Sequence, residues 1–271
     1  MASYFEVAFT EVSEQQSQLI IALLSEADYT GFEEAENSLK AYVNVDAFDE
    51  AVLKELALAN NVNYTLQKIE EQNWNAVWES NFEPVTINDF VAIRAHFHEP
   101  ISNVAHEIII TPKMSFGTGH HATTSMMIEQ MQGIDFNNKS VFDFGTGTGI
   151  LAILAEKLGA KNVLAADNDD WSINNAAENI ANNNCDKIAL LKVDDADVKG
   201  KYDIILANIN KNIILDNFSK LTSRLNSSSF LLLSGILITD ENDLLQVAMA
   251  AGLKHLKTLQ KLQWSCMLFG H

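Results

Sequence analysis

Residues Val141 to Leu151, VFDFGTGTGIL, constrain this chain more than any other stretch. Val141, Phe142 and Phe144 read as a short buried strand that carries Asp143. Gly145, Gly147 and Gly149 then follow at every second position, before an apolar helix start. Glycines let the main chain turn tightly and approach a ligand with no Cβ in the way. The helix that follows directs its unpaired N–H groups toward that ligand. Asp167 closes a second apolar strand, NVLAAD, 22 residues beyond Gly145. An acidic side chain about that far along is placed to accept hydrogen bonds from a ribose diol. Together these features predict a strand–turn–helix unit built around a nucleoside cofactor.

The spacing of the glycines bears on which cofactor. Dinucleotide folds require G-x-G-x-x-G, whereas this turn reads G-x-G-x-G, with Ile150 where the last glycine would fall. An NAD-dependent oxidoreductase is disfavoured on that ground. The pattern [DE]-x-G-x-G-x-G with an acidic end to the next strand resembles the S-adenosylmethionine (SAM) methyltransferases of the Rossmann-like class. That resemblance implies Gly145 and Gly147 beside the methionine end of the cofactor and Asp167 on its ribose.

From residue 140 onward apolar runs of strand and helix period alternate. Strands are expected at 140–144, 162–167, 187–193, 202–207 and 229–234, with two more near 253–260 and 264–269. Helices are expected at 149–158, 171–183, 213–225 and 240–251, and the Asn-rich run 174–184 reads as the polar face and end of one of them. This order predicts an α/β fold with a doubly wound, mostly parallel sheet and a ligand site at the C-terminal strand ends. Strand 202–207 ends at Asn208, whose amide could position an amine.

Ahead of this unit, residues 1–70 read β-α-β-β-α-β, with Ser13 capping the first helix. That order predicts a small α+β, ferredoxin-like domain. Residues 71–80, EQNWNAVWES, read as a linker helix with Trp74 and Trp78 on one face, packed between domains. The second domain, 81–271, opens with a two-stranded element turning at Asn88-Asp89, a strand ending at Pro112, and a glycine loop, MSFGTGHHATT. Thr123 or Thr124 falls in the first turn of a helix running to about Met131. Adjacent His120 and His121 lack a third ligand at metal-binding spacing, so no metal is expected and the loop reads as a wall of the cofactor pocket.

Charge is distributed unevenly. Residues 1–80 hold 15 Asp/Glu against 3 Lys/Arg, a net of −12 of the total −18. Such a surface repels phosphate backbones and attracts basic proteins, so direct nucleic-acid binding is not expected. Two cysteines without a CxxC pair suit a reducing compartment. No signal peptide and no run of ~18 apolar residues is visible, so a cytoplasmic protein without a membrane span is expected.

FGTGHHATT, DFGTGTGIL, DND at 167–169, ANINKNIIL and LLLSGIL at 231–237 together resemble the PrmA family, the bacterial methyltransferases of the eleventh large-subunit ribosomal protein. WNAVWESNFEPV and the closing WSCMLFG are similar too, so the resemblance spans nearly the whole chain. It implies a substrate-recognition domain, a linker helix and a catalytic SAM domain. It also implies N-methylation of lysine side chains and of the N-terminal amine of a basic ribosomal protein. SAM contacts carry over to Thr124, Gly145, Asp167 and Asn208, with Asn208 also positioning the substrate amine and no general base assigned. The chain departs from the family at Thr146 and Thr148, where Cys and Ser are common. It departs again at Asn168, where an apolar residue is common, and at Asn210-Lys211 after Ile209. Methylation of RNA or of a small molecule, and a non-catalytic ribosome-associated SAM-binding protein, are the other readings these motifs allow.

Overall fold

The computed structural model describes residues 3–25, 27–35, 37–70, 82–112 and 118–271. The expected linker helix, with Trp74 and Trp78, and residues 114–117 of the glycine loop lie outside the described residues. The chain divides into two compact units, Met1–Trp78 and Glu79–His271.

The first unit runs β1 (Ser3–Thr10), α1 (Glu14–Ser25), β2 (Tyr29–Ala35), β3 (Ser38–Asn44), α2 (Glu50–Ala59) and β4 (Asn63–Glu70). Its antiparallel sheet has the order β2-β3-β1-β4, the ferredoxin-like arrangement. Alternation along β1 turns Val7 and Phe9 inward, where they meet Ile20 and Leu24 of α1 and Leu53 of α2. Both helices start where the chain supplies a cap. The Ser13 hydroxyl accepts from Gln16 N at 3.3 Å while Gln16 Oε1 accepts from Ser13 N at 3.0 Å, a reciprocal capping box. Asp49 Oδ1 accepts from Ala51 N at 2.8 Å.

The second unit begins with a three-stranded sheet, β5 (Val85–Ile87), β6 (Val91–Ala95) and β7 (His106–Ile110). Asn88, in the left-handed region at φ 51°, makes the β5–β6 turn as expected. The buried Arg94 guanidinium donates to both Glu107 oxygens, at 2.8 and 2.9 Å, and ties β6 to the parallel β7. Helix α3 (Ala122–Met131) follows. Then come β8 (Ser140–Phe144), α4 (Ile150–Lys157), β9 (Asn162–Asp167), α5 (Asp170–Asn182) and β10 (Ile188–Lys192). The chain continues through β11 (Tyr202–Asn208), α6 (Lys211–Ser223), β12 (Leu225–Leu237), α7 (Glu241–Ala250), β13 (Lys254–Lys261) and β14 (Trp264–Gly270).

These strands form one sheet ordered β10-β9-β8-β11-β12-β14-β13. The first five are parallel and β14 is antiparallel to both neighbours. Alternate residues feed a core on each face. Val141, Ile204, Leu206 and Leu232 pack with α3 and α4 residues such as Met127 and Leu154. Phe142, Ile205, Leu231 and Leu233 pack with Phe218 of α6 and Leu244 of α7. After β8 the chain moves outward to β9 and β10, then returns to the other side of β8 as β11. The crevice of this fold therefore opens at the C-terminal ends of β8 and β11. Among the described residues no helix is long and apolar enough to cross a membrane.

Two expectations need correction. Strand β12 starts at Leu225, immediately after α6, and not near 229. Its polar start, Asn226-Ser227-Ser228, hides the strand pattern because residues 227 and 228 are exposed. The asparagines of α5 are not simply a polar face either: Asn175 and Asn179 are fully buried and Asn183 is nearly so. They pair with the free edge of β7. Asn183 accepts from Ile109 N at 2.9 Å and donates to Ile109 O, Asn179 accepts from Thr111 N at 2.7 Å, and Asn175 donates to Thr111 O at 3.4 Å. Four helix residues, about 6 Å along the axis, nearly match two strand residues at about 6.6 Å. Amides four apart on α5 can thus satisfy peptide groups two apart on β7, as a neighbouring strand would. Asn179 also donates to Thr148 O at 2.8 Å, which fixes the glycine loop to the same helix.

Candidate active site

The turn after β8 is shaped by its own chemistry. Gly145, Gly147 and Gly149 all have positive φ. The N–H groups of Gly145 and Thr146 donate to Ala166 O at 2.8 and 2.9 Å, and Gly147 N donates to Asp167 Oδ2 at 2.9 Å. The donors that would cradle a pyrophosphate are thus spent on the end of β9. This favours a cofactor without a phosphate at the turn.

Gly145 also has a use that the sequence pattern does not disclose. A Cβ there would collide with Ile209 Cγ2, and a Cβ at Gly235 would collide with the Ile209 carbonyl. Ile209 is held between the two glycines, its side chain over the loop and its main chain against β12. Gly235 is the extra residue of a β-bulge, between Ser234 and Ile236 opposite β14, at φ 83°. A bulge re-aims the chain beside a site, and here it makes room for the peptide that follows Asn208.

Asp143 lies buried beneath the turn. Burial pushes its carboxyl up to about 7, the Thr146 hydroxyl at 2.6 Å pulls it back, and the charge of Asp167 raises it further. A carboxyl whose pKa is raised by folding stabilises the folded state fully below its unfolded value near 4 and less as pH rises toward 7. Asp143→Asn, which stays neutral, is therefore expected to gain a few degrees in melting temperature over the parent between pH 4.5 and 7.5. A constant difference across that range, in a pH series of thermal melts, would rule out this titration.

A cleft of about 400 Å³ opens over the turn, within the range that small-molecule ligands occupy. Gly145, Gly147 and Asp167 line it on the β8–β9 side, and Asn208, Ile209 and Gly235 line it on the β11–β12 side. Asp167 holds Gly147 N with one oxygen and Asp169 N, at 3.1 Å, with the other. Each carboxylate oxygen keeps capacity to accept from a ribose hydroxyl. Asp167→Ala is expected to weaken SAM binding at least tenfold, since a hydrogen bond to a charged group is worth about 1.5–3 kcal/mol. Calorimetry on the folded variant tests this, and unchanged affinity would refute it.

Asn208 ends β11 inside the cleft and is 7% exposed. Its Nδ2 donates to Thr124 Oγ1 at 3.2 Å, and that hydroxyl is fully buried in α3. Thr124 stands behind Asn208, outside the lining of the cleft. It orients the amide so that Oδ1 is left buried, with no donor among the described residues. Such an acceptor, on a residue that lines the cleft, is one that a ligand N–H could satisfy.

His121 and Thr123 line the cleft near Asn208, so this end of the glycine loop is part of the wall as expected. Sequence reasoning missed Ser172 of α5 and Asp194 after β10, on the side of Asp167, and Trp264, which closes the cleft near Asn208. His121 caps α3 by accepting from Thr123 N at 3.4 Å, and its ring meets Trp264 edge-on at 4.9 Å. His120 meets Phe82 in the same manner. Among the described residues no group of three or more His, Cys, Asp or Glu is arranged to hold a metal.

A family model described as ribosomal protein L11 methyltransferase (PrmA) matches residues 5–271. The chain belongs to the PrmA family. It is 38% identical over 277 residues to the ribosomal protein L11 methyltransferase of Phocaeicola vulgatus, covering 98% of each chain. It is 40% identical over 260 residues to that of Porphyromonas gingivalis, covering 93% of this chain and 89% of the relative. The crystal structure of ribosomal protein L11 methylase from Lactobacillus delbrueckii subsp. bulgaricus is similar with a TM-score of 0.65 at 33% identity, covering 69% of this chain and 98% of that one. This PrmA-family chain is therefore a SAM-dependent methyltransferase. The two-sided carboxylate of Asp167 and a turn whose donors are spent both fit SAM in the cleft.

Proposed function

We propose that this chain methylates amines of ribosomal protein L11, on lysine side chains and at the N-terminus, with residues 1–70 recognising the protein. One observation carries the reading: the buried, unpartnered Oδ1 of Asn208 at the end of β11, clamped by Thr124. SAM, when bound, supplies an electrophilic methyl on a sulfonium. Attack requires a neutral amine, and a lysine near pKa 10.4 is neutral in roughly one molecule in 2,500 at pH 7, a cost of about 4.6 kcal/mol. Burial in the cleft lowers that cost, because a desolvated ammonium sheds its proton more easily.

Asn208 Oδ1 can then accept an N–H of the amine and aim its lone pair. Positioning of this kind needs no dedicated general base. The apolar walls, Phe144, Ile209 and Trp264, keep water from competing. The acidic first 80 residues disfavour a nucleic-acid acceptor. Incubating the chain with SAM and purified L11 should add mass in 14 Da steps, mapped by peptide digestion to lysines and the N-terminal amine. Methyl transfer to ribosomal RNA, with none to L11, would overturn the reading.

A further inference from the structure

Leu262 occupies the tight turn between β13 and β14 at φ 58° and is 84% exposed. Among the described residues eight non-glycine positions have positive φ; five are Asn, one is Asp, one is Glu, and Leu262 alone is apolar. The left-handed conformation strains a residue with a Cβ, and Asn or Gly would bear it more easily. An exposed leucine also recovers nothing from burial. The position therefore bears two costs that the fold of this chain does not repay.

The turn lies at the cleft end of the sheet. Trp264, two residues on, lines the cleft and is the register partner of Leu237. Ile238 N donates to Gln263 O at 3.0 Å. Leu237, Ile238 and Ile213 are also exposed, and Ile213 lines the cleft. An apolar strip thus runs outward from the cleft mouth to the tip of the hairpin. The turn end of the hairpin is held by Lys261 Nζ, which donates to Ser125 Oγ of α3 at 3.3 Å. Beside the strip stand Asp240, Glu241 and Asp243. Lys211 bonds Asp240 and Asp243, at 2.7 and 3.1 Å, and with Lys261 at the turn it sets two cations against these three carboxylates. The rim is net acidic.

We infer that the Leu262 turn, with Leu237 and Ile238, is a docking surface for the polypeptide that carries the acceptor amine. It takes an apolar side chain from a basic segment flanking the methylated residue. The occupant follows from continuity: whatever presents an amine to Asn208 must pass Trp264 and Ile213, and its flanks then meet this strip. The acidic rim suits the charge of such a segment. The inference rests on the proposed function, since it requires a protein acceptor.

The test uses the full chain, SAM and L11, with Leu262→Gly and Leu262→Asn. Because both residues tolerate the left-handed conformation, the melting temperature should hold or rise by about 2–4 °C. KM for L11 should rise about fivefold or more, as for loss of an interface side chain, with SAM affinity and kcat at saturating L11 unchanged. Leu256→Ser, at the far end of β13 and half exposed, should leave KM as it is. An unchanged KM in both Leu262 variants, or unfolding of both, overturns the docking surface. If the parent chain methylates no L11 at all, the proposed function falls, and the docking surface with it.

Discussion

Asn208→Ala is expected to cut turnover on L11 by roughly 10- to 100-fold, the rate equivalent of about 1.5–3 kcal/mol, while SAM affinity changes less than about threefold. The asymmetry follows from where the amide points. Its Nδ2 is committed to Thr124, and its Oδ1 is buried with no donor among the described residues. The acceptor amine becomes cationic as it attacks, so its hydrogen bond to Oδ1 strengthens on the way to the transition state. An interaction that strengthens along the reaction shows in kcat more than in ground-state affinity. Thr124→Val should cause a smaller loss, because it releases the amide to rotate but leaves the acceptor present. Stopped-flow single turnover combined with calorimetry separates the two quantities. If SAM affinity falls as far as turnover does, Asn208 serves the cofactor and not the amine.

The residues of this site differ in how far the chain itself announces them, and the difference is physical. Gly145, Gly147 and Asp167 belong to one strand–turn–helix–strand unit, so their spacing along the chain nearly determines their spacing in space. Asn208 is legible one step further, because a parallel strand order places the end of β11 beside the end of β8. Trp264 and Gly235 depend on β14 inserting antiparallel between β12 and β13. No local pattern specifies that insertion. Gly235 sits in an apolar strand, LLLSGIL, where a glycine can equally mark a bulge or a flaw in the pattern.

The buried asparagines of α5 show a different blind spot. Hydropathy scores Asn175, Asn179 and Asn183 as solvent-facing, yet each amide can pair with a peptide group as well as water can. A helix can therefore bury them against a strand edge at little cost. Thr124 is a different case: a SAM contact there is implied by the family resemblance alone. The structure pairs its hydroxyl with the Asn208 amide.

Removing the first unit should separate cofactor binding from protein methylation. Among the described residues, the cores of Glu79–His271 draw on none before Phe82, and the core of the first unit on none after Tyr64. Among the described residues, those that line the cleft all lie after His120. A chain starting at Glu79 should therefore bind SAM within about threefold of the full chain, as expected of independent sites. Its kcat/KM on L11 should fall at least tenfold, which asks about 1.4 kcal/mol of recognition from the missing unit. That unit has the means in charge, since residues 1–78 hold 14 Asp/Glu against 3 Lys/Arg, a net of −11 of the total −18. Exposed charges are screened over about 8 Å at physiological ionic strength, so added salt should raise KM for L11 in the full chain. The truncated chain should show a shallower dependence, because only the acidic rim of the cleft remains. SAM affinity should be nearly indifferent to salt in both. Should the truncated chain fold, bind SAM and methylate L11 at the full kcat/KM, the first 70 residues would have no part in recognising the acceptor.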